Sequence, residues 1–336
     1  MKLWLNVWAA GLVLFSCEAA LRGETKVEKV EYKGWKNNLK LSNGTVELIA
    51  TLDVGPRIIR YGFPGGENVL KEYADQLGKS GEKDWQIRGG HRLWHAPEAQ
   101  PRTYFPDNDP VQFQEIRGAE GEVDEYVRSG ARLIAPPETP YGIQKEIDVL
   151  LAPTGTKVVL IHRLKNIGAW PVELAPWALT VVAPGGTEII PLPKKVPHGE
   201  SLLPNGQLVL WSYTDLKDPR FSFGTKYITL KQDAKGHATK IGLRHSEGWV
   251  GYLRSGLLFV KRFDRQPNQH YPDFGCNFET YTDENMLEVE SLGPLTKLEP
   301  GSAVEHREVW ELHKNVPAVT DEASIDKSIL PLVSGK

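Results

Sequence analysis

Cysteine is almost absent: the 336-residue chain has two, Cys17 and Cys276. Two cannot staple a small disulfide framework, and a Cys-rich metal module is equally excluded. Charge of one sign is also missing. Forty Lys and Arg face 43 Asp and Glu, a formal net charge of −3, so nothing points to nucleic acid or an anionic membrane surface as partner. Beyond the N-terminal segment no stretch of about twelve residues or more carries the helical period. There is no Gly-x-Gly-x-x-Gly before a helix, no P-loop and no Gly-x-Ser-x-Gly. Their absence weighs against nucleotide and α/β-hydrolase chemistry, and no cofactor is expected.

What is present is turn chemistry and aromatics. The chain holds 32 Gly, 24 Pro, ten Trp, eleven Tyr and ten Phe. Such a composition suits strands joined by turns. Tryptophan faces also stack on the apolar faces of pyranose rings, although core packing accounts for most aromatics in any domain. At the N-terminus Lys2 precedes the apolar run Leu3 to Phe15, followed by small residues. The run is too short to span a bilayer and has the form of a secretory signal. Leu14-Phe15-Ser16-Cys17 resembles a lipobox, which would make Cys17 a lipidated first residue after removal of residues 1–16. The alternative is cleavage near Ala19 or Ala20. Residues 1–20 are therefore assigned to a signal, 24–315 to one β domain and 316–336 to a polar tail. The protein is expected to be exported to the periplasm or anchored at the outer membrane, touching membrane only through Cys17. Cys276 then remains alone, a buried small hydrophobe.

Alternating or apolar runs bounded by Gly, Pro and Asn recur along the chain. They include Thr45–Leu52 after the turn at Asn43-Gly44, Arg57–Phe63, Glu122–Ile134, Lys157–Asn166, Val172–Val182 and the hairpin Gly248–Ser255 with Leu257–Phe263. This spacing predicts an all-β sandwich. Asp321–Ser328 has the pattern of a short helix.

Two segments carry candidate chemistry. In Met286–Ser291, strand alternation puts Leu287 and Val289 on a core face and Glu288 and Glu290 on the other, with Cα atoms about 6.5–7 Å apart. Carboxylates that close raise one another's pKa, one route to a general acid and base. Asn277, Glu279 and Tyr281 alternate on the preceding segment, and the loop before it carries His270 and Tyr271. Val304–Leu312, after the turn at Pro300-Gly301, reads as the antiparallel partner of Met286–Ser291. The second segment is Gly89–Glu98, with His91, Arg92, Trp94 and His95. The histidines are at i, i+4, which suits zinc only on a helix; the glycines before and Pro97 after leave no room for one, and no metal site is expected. Calcium on Asp107, Asp109 or Asp273 matches no loop spacing.

NGTVELIATLDVGPRIIRYGFPGGENVL, GGHRLWHAPE and MLEVESLGPLTKLEPGS together resemble the galactose mutarotase-like family, which includes aldose 1-epimerases. APGGTEIIPLP with YPDFGCNFETYT resembles, more closely, the DUF4380 proteins of bacteria. The resemblance implies a β-supersandwich of large antiparallel sheets that binds a sugar or glycan. It implies Glu290 as general base and His91 as acid or positioning residue; Glu279, from its place on the preceding segment, is a further candidate catalytic group. Arg92, Trp94, His95, Glu288, His270, Tyr271 and Asn277 would contact the sugar. A counterpart of the second epimerase histidine is missing; His162 lies inside an apolar strand. Glycoside hydrolysis by a Glu pair, and a glycan-binding or structural protein of the envelope without catalysis, are the alternatives.

Overall fold

The computed structural model describes residues 25–117 and 129–334. The expected signal, Cys17 and the first part of the run 122–134 lie outside them. The strands are β1 (Lys26–Tyr32), β2 (Trp35–Ser42), β3 (Glu47–Thr51), β4 (Arg57–Gly62), β5 (Gly90–Ala96), β6 (Gln112–Arg117), β7 (Ser129–Ile134), β8 (Ile143–Leu151), β9 (Val158–Asn166), β10 (Val172–Val182) and β11 (Thr187–Pro191). They continue as β12 (Leu208–Leu210), β13 (Phe221–Phe223), β14 (Tyr227–Lys231), β15 (Thr239–Leu243), β16 (Trp249–Arg254), β17 (Leu257–Phe263), β18 (Phe278–Thr282), β19 (Leu287–Leu292), β20 (Thr296–Leu298) and β21 (Ala303–His313).

They form two sheets, antiparallel throughout. The first runs β1-β2-β3-β4-β5-β10-β19-β18-β15-β12, with β20 also paired to β10; the second runs β13-β14-β11-β16-β17-β21-β9-β8-β7-β6. Their inner faces supply one apolar core, in which Leu48, Ile58, Leu93 and Val289 from the first sheet meet Ile147, Leu160, Phe259 and Trp310 from the second. The all-β sandwich expected from turn spacing is the observed fold.

One pairing differs from expectation. β19 bonds to β10 and β18, not to β21, and β21 lies in the other sheet between β17 and β9. Gly293-Pro294 and β20 carry the chain across the sandwich, so β19 and β21, close in sequence, lie in opposite sheets. Sequence adjacency favours pairing, but a Gly-Pro break permits a crossing instead.

The C-terminal segment packs as two short helices, α1 (Glu322–Ser328) and α2 (Leu330–Val333). Asp321 and Ser324 close a capping box at the start of α1. Ile325, Ile329 and Val333 recur every four residues and cover Ile189, Trp249, Leu258 and Val260 on the outer face of the second sheet. This apolar stripe explains why a tail of polar composition docks. Among the described residues no helix is long and apolar enough to cross a membrane.

Candidate functional site

Among the described residues no helix lies over the outer face of the first sheet. Alternation places Arg92 and Trp94 of β5, Trp177 and Leu179 of β10, Glu288 and Glu290 of β19, Glu279 and Tyr281 of β18 and Lys240 of β15 on that face, in neighbouring register. Loops raise walls around them. Trp85, Tyr104 and Glu98 stand on one side, and Tyr213 and Asp283 on the other, enclosing a cleft of about 420 Å³. That volume suits a small ligand.

Two buried arginines fix the loop wall. Arg57 donates to the carbonyls of Ile87 and Gly89 and pairs with Asp107 at 2.8 Å. Arg88 donates to the Lys79 carbonyl and to Asn108 Oδ1, and pairs with Glu82. Asp107 is thereby committed to an ion pair rather than offered to calcium. The aromatic wall is continuous: ring centroids are 5.2 Å apart for Trp85 and Trp94, 4.8 Å for Trp94 and Tyr104, and 5.4 Å for Trp94 and Trp177. The Arg92 guanidinium lies 4.5 Å from the Trp94 ring and donates to Glu288 at 2.9 Å. Its Nε and Nη1 are buried without a partner.

Glu290 is fully buried at the cleft floor. Its Oε2 accepts from Trp177 Nε1 at 2.8 Å and from Lys240 Nζ at 3.0 Å, while Oε1 has no partner. Lys240 also contacts Glu279 Oε2 at 2.7 Å. Burial pushes both carboxyls upward; the Lys240 ammonium opposes this, and Glu279 remains well above the ordinary range. Burial disfavours the Lys240 charge, but the two carboxyls more than offset it and hold the ammonium protonated.

The expected site residues separate by strand parity. Glu290, Glu288, Arg92 and Trp94 line the cleft, and Glu279 reaches it through Lys240. His91 and His95 point the other way, because they alternate with Arg92 and Trp94. His91 sits between the sheets, against Thr180, His162 and Trp310. His95 meets Glu138 at 3.0 Å. These positions correct the reading of both histidines as cleft residues. Asn277 precedes β18 and clasps the backbone of His245 through both its amide atoms. Tyr271 accepts from the Gln266 amide, and His270 is exposed with its carbonyl bonded to Leu295. None of these three lines the cleft. Lys240, Trp177, Trp85 and Tyr213 were not singled out from the sequence. Trp177 and Leu179 do alternate in a strand, but nothing in the chain ties that strand to Glu290.

One trio could in principle hold a metal: His91, His162 and Glu308 place potential ligand atoms within 4.8 Å of one another. Their hydrogen bonds close without an ion. His162 Nδ1 donates to the His306 carbonyl, so its Nε2 accepts from His91 Nε2 at 2.7 Å, and His91 Nδ1 accepts from Thr180. Glu308 is held by Lys261 at 2.7 Å and by Ser291 and Trp310. The Lys261 ammonium also opposes a second cation.

No protein-family profile matches the chain, and no curated protein sequence is significantly similar to it. Solved structures do share its fold. A TPR-domain containing protein from Parabacteroides distasonis superposes with TM-score 0.56 at 15% identity over 84% of this chain, which spans 48% of that protein's length. Slr1438 from Synechocystis gives 0.55 at 13% identity, covering 85% of this chain and 99% of that one. YeaD from Salmonella typhimurium, a candidate mutarotase, gives 0.52 at 12% identity over 83% and 90%. The likeness is one of fold: the chain has the galactose mutarotase-like architecture of paired antiparallel sheets.

Proposed function

We propose that the cleft binds a sugar and that Glu290 accepts a proton from one of its hydroxyls. The observation that carries this reading is Glu290 Oε1, buried and unpartnered on the floor of an aromatic-walled cleft. Tryptophan and tyrosine faces offer stacking surfaces, and Arg92 Nη1 offers a free donor. Both cleft cations are already paired with carboxylates, and Glu98 and Asp283 add negative charge at the rim. A neutral sugar therefore fits better than a phosphorylated or acidic one. Among the described residues no histidine lines the cleft, so an epimerase-type acid would come from Lys240 or a tyrosine.

Hydrolysis by Glu279 and Glu290 is less well supported. The Lys240 ammonium touches both and fills the space where a glycosidic bond would lie, whereas a hydrolase leaves that space to substrate. Glu288 and Glu290, alternate residues of β19, are a carboxyl pair that does line the cleft. The mutarotase character of YeaD supports the sugar reading, and the motif likeness to DUF4380 proteins belongs to the same proposal. So does export, with Cys17 lipidated or the leader removed by cleavage near Ala19 or Ala20.

Thermal stability against a panel of neutral mono- and oligosaccharides tests the cleft. A ligand at about a hundred times its Kd adds about 2.7 kcal/mol. Glu290→Gln should keep that shift and lose proton-transfer turnover on the same sugar, measured by polarimetry. Full turnover in Glu290→Gln would remove Glu290 from the chemistry.

A further inference from the structure

We propose that Lys240 is a positioning residue for Glu290: it holds Glu290 as the anion while Glu279 stores the one proton that the buried trio shares. The proposal rests on the cleft reading for its purpose but not for its test.

Three ionisable groups meet below the cleft with little access to water. Lys240 is 4% exposed, and Glu279 and Glu290 are 0%. Two carboxyls share one ammonium, at 2.7 and 3.0 Å. Fully ionised, the trio would carry an uncompensated buried negative charge, which is costly. One retained proton makes it neutral. The hydrogen bonds say where that proton sits. Glu290 accepts from both Lys240 and the Trp177 indole, whereas among the described residues Glu279 has only the Lys240 ion pair. Donors stabilise the ionised form, so the charge belongs on Glu290 and the proton on Glu279.

The ammonium is itself held in place. Trp177 and Trp211 rings lie 4.6 and 4.8 Å from Nζ, together a cation–π clamp. Gly242, the register partner of Glu279, lets this clamp close. A Cβ there would come within 2.5 Å of Cys276 Sγ and 3.0 Å of the Trp211 ring. Other charged or titratable groups that face the trio are Glu288 on β19, Tyr213 in the wall, Asp273 before β18 and, through the sheet, Glu188 of β11 and Lys261 of β17. None contacts Glu290 or Glu279 as closely as Lys240 does.

The test is a carboxyl ¹³C NMR titration of the mature chain labelled at glutamate, with Glu279→Gln and Glu290→Gln assigning the two resonances. The resonance lost in Glu290→Gln should titrate at the lower pH, and the one lost in Glu279→Gln at the higher. Lys240→Met should raise the Glu290 midpoint by about 1–3 pH units. Should Lys240→Met fail to fold, Trp177→Phe removes one donor from Glu290 alone and should raise its midpoint without raising that of Glu279. The reverse order of titration in the parent chain overturns the proposal. So do unmoved midpoints in Lys240→Met, or in Trp177→Phe where that variant replaces it. The expected titration in a chain that binds no sugar would leave the assignment standing and refute the reading of the cleft.

Discussion

Glu188 should make this protein less stable as pH rises, and Glu188→Gln should remove that loss. Glu188 sits on β11 with its side chain between the sheets, fully buried, and among the described residues neither carboxyl oxygen makes a well-formed hydrogen bond, the Thr280 hydroxyl being only loosely placed. Burial pushes its pKa from the ordinary 4.5 up to about 8, with nearby Glu290 adding to the rise and Thr280 and Lys261 opposing it. The unfolded chain releases this proton near pH 4.5 and the folded chain near pH 8. Between those values the folded state binds more protons, so unfolding free energy falls with rising pH. The contribution is fully present below about pH 4.5 and fully lost above about pH 8. Roughly 3.5 pH units at about 1.36 kcal/mol each set the loss at no more than about 5 kcal/mol. Glutamine has the shape of the protonated acid and cannot ionise. Urea unfolding at pH 5 and pH 8.5 is the assay, read as midpoint at constant slope. The advantage of Glu188→Gln over the parent should be near zero at pH 5 and several kcal/mol at pH 8.5. An equal difference at both values would refute the assignment of a buried, neutral Glu188.

Three further outcomes follow from the geometry. Trp85→Ala removes one aromatic wall at little cost to the core and should weaken sugar binding about tenfold or more, measured by calorimetry; unchanged affinity would put the sugar elsewhere. His91→Leu leaves His162 Nε2 and the Thr180 hydroxyl unpartnered and should cost about 1–3 kcal/mol in urea unfolding. It should leave sugar affinity unchanged, since His91 faces the core. Gly242→Ala drives a methyl against Cys276 and Trp211 and should cost about 1–3 kcal/mol. Adding Cys276→Ala should recover part of that loss, and strict additivity of the two changes would count against the contact.

Much of the fold was legible because it is local. Asn43-Gly44 and the Gly and Pro breaks mark turns, and alternation in 287–292 correctly separates Leu287 and Val289 from Glu288 and Glu290. The same rule, applied to 90–96, already puts His91 and Arg92 on opposite faces. A motif dense in functional side chains is therefore not a single surface: in a strand it divides between two faces. The pairing of β19 was not legible, since no local signal says whether a Gly-Pro break turns the chain back or carries it across.

By itself, the sequence determined the class of fold, the strand parities and the face that Glu290 shares with Glu288, because each depends on neighbours in the chain. Tertiary structure alone decided that Trp177 and Lys240, 113 and 50 residues away from Glu290, would share its carboxylate. Sheet order is set by the burial of whole strands against one another. The partners of a buried charge are therefore chosen by that packing, at separations where the sequence carries no periodic signal.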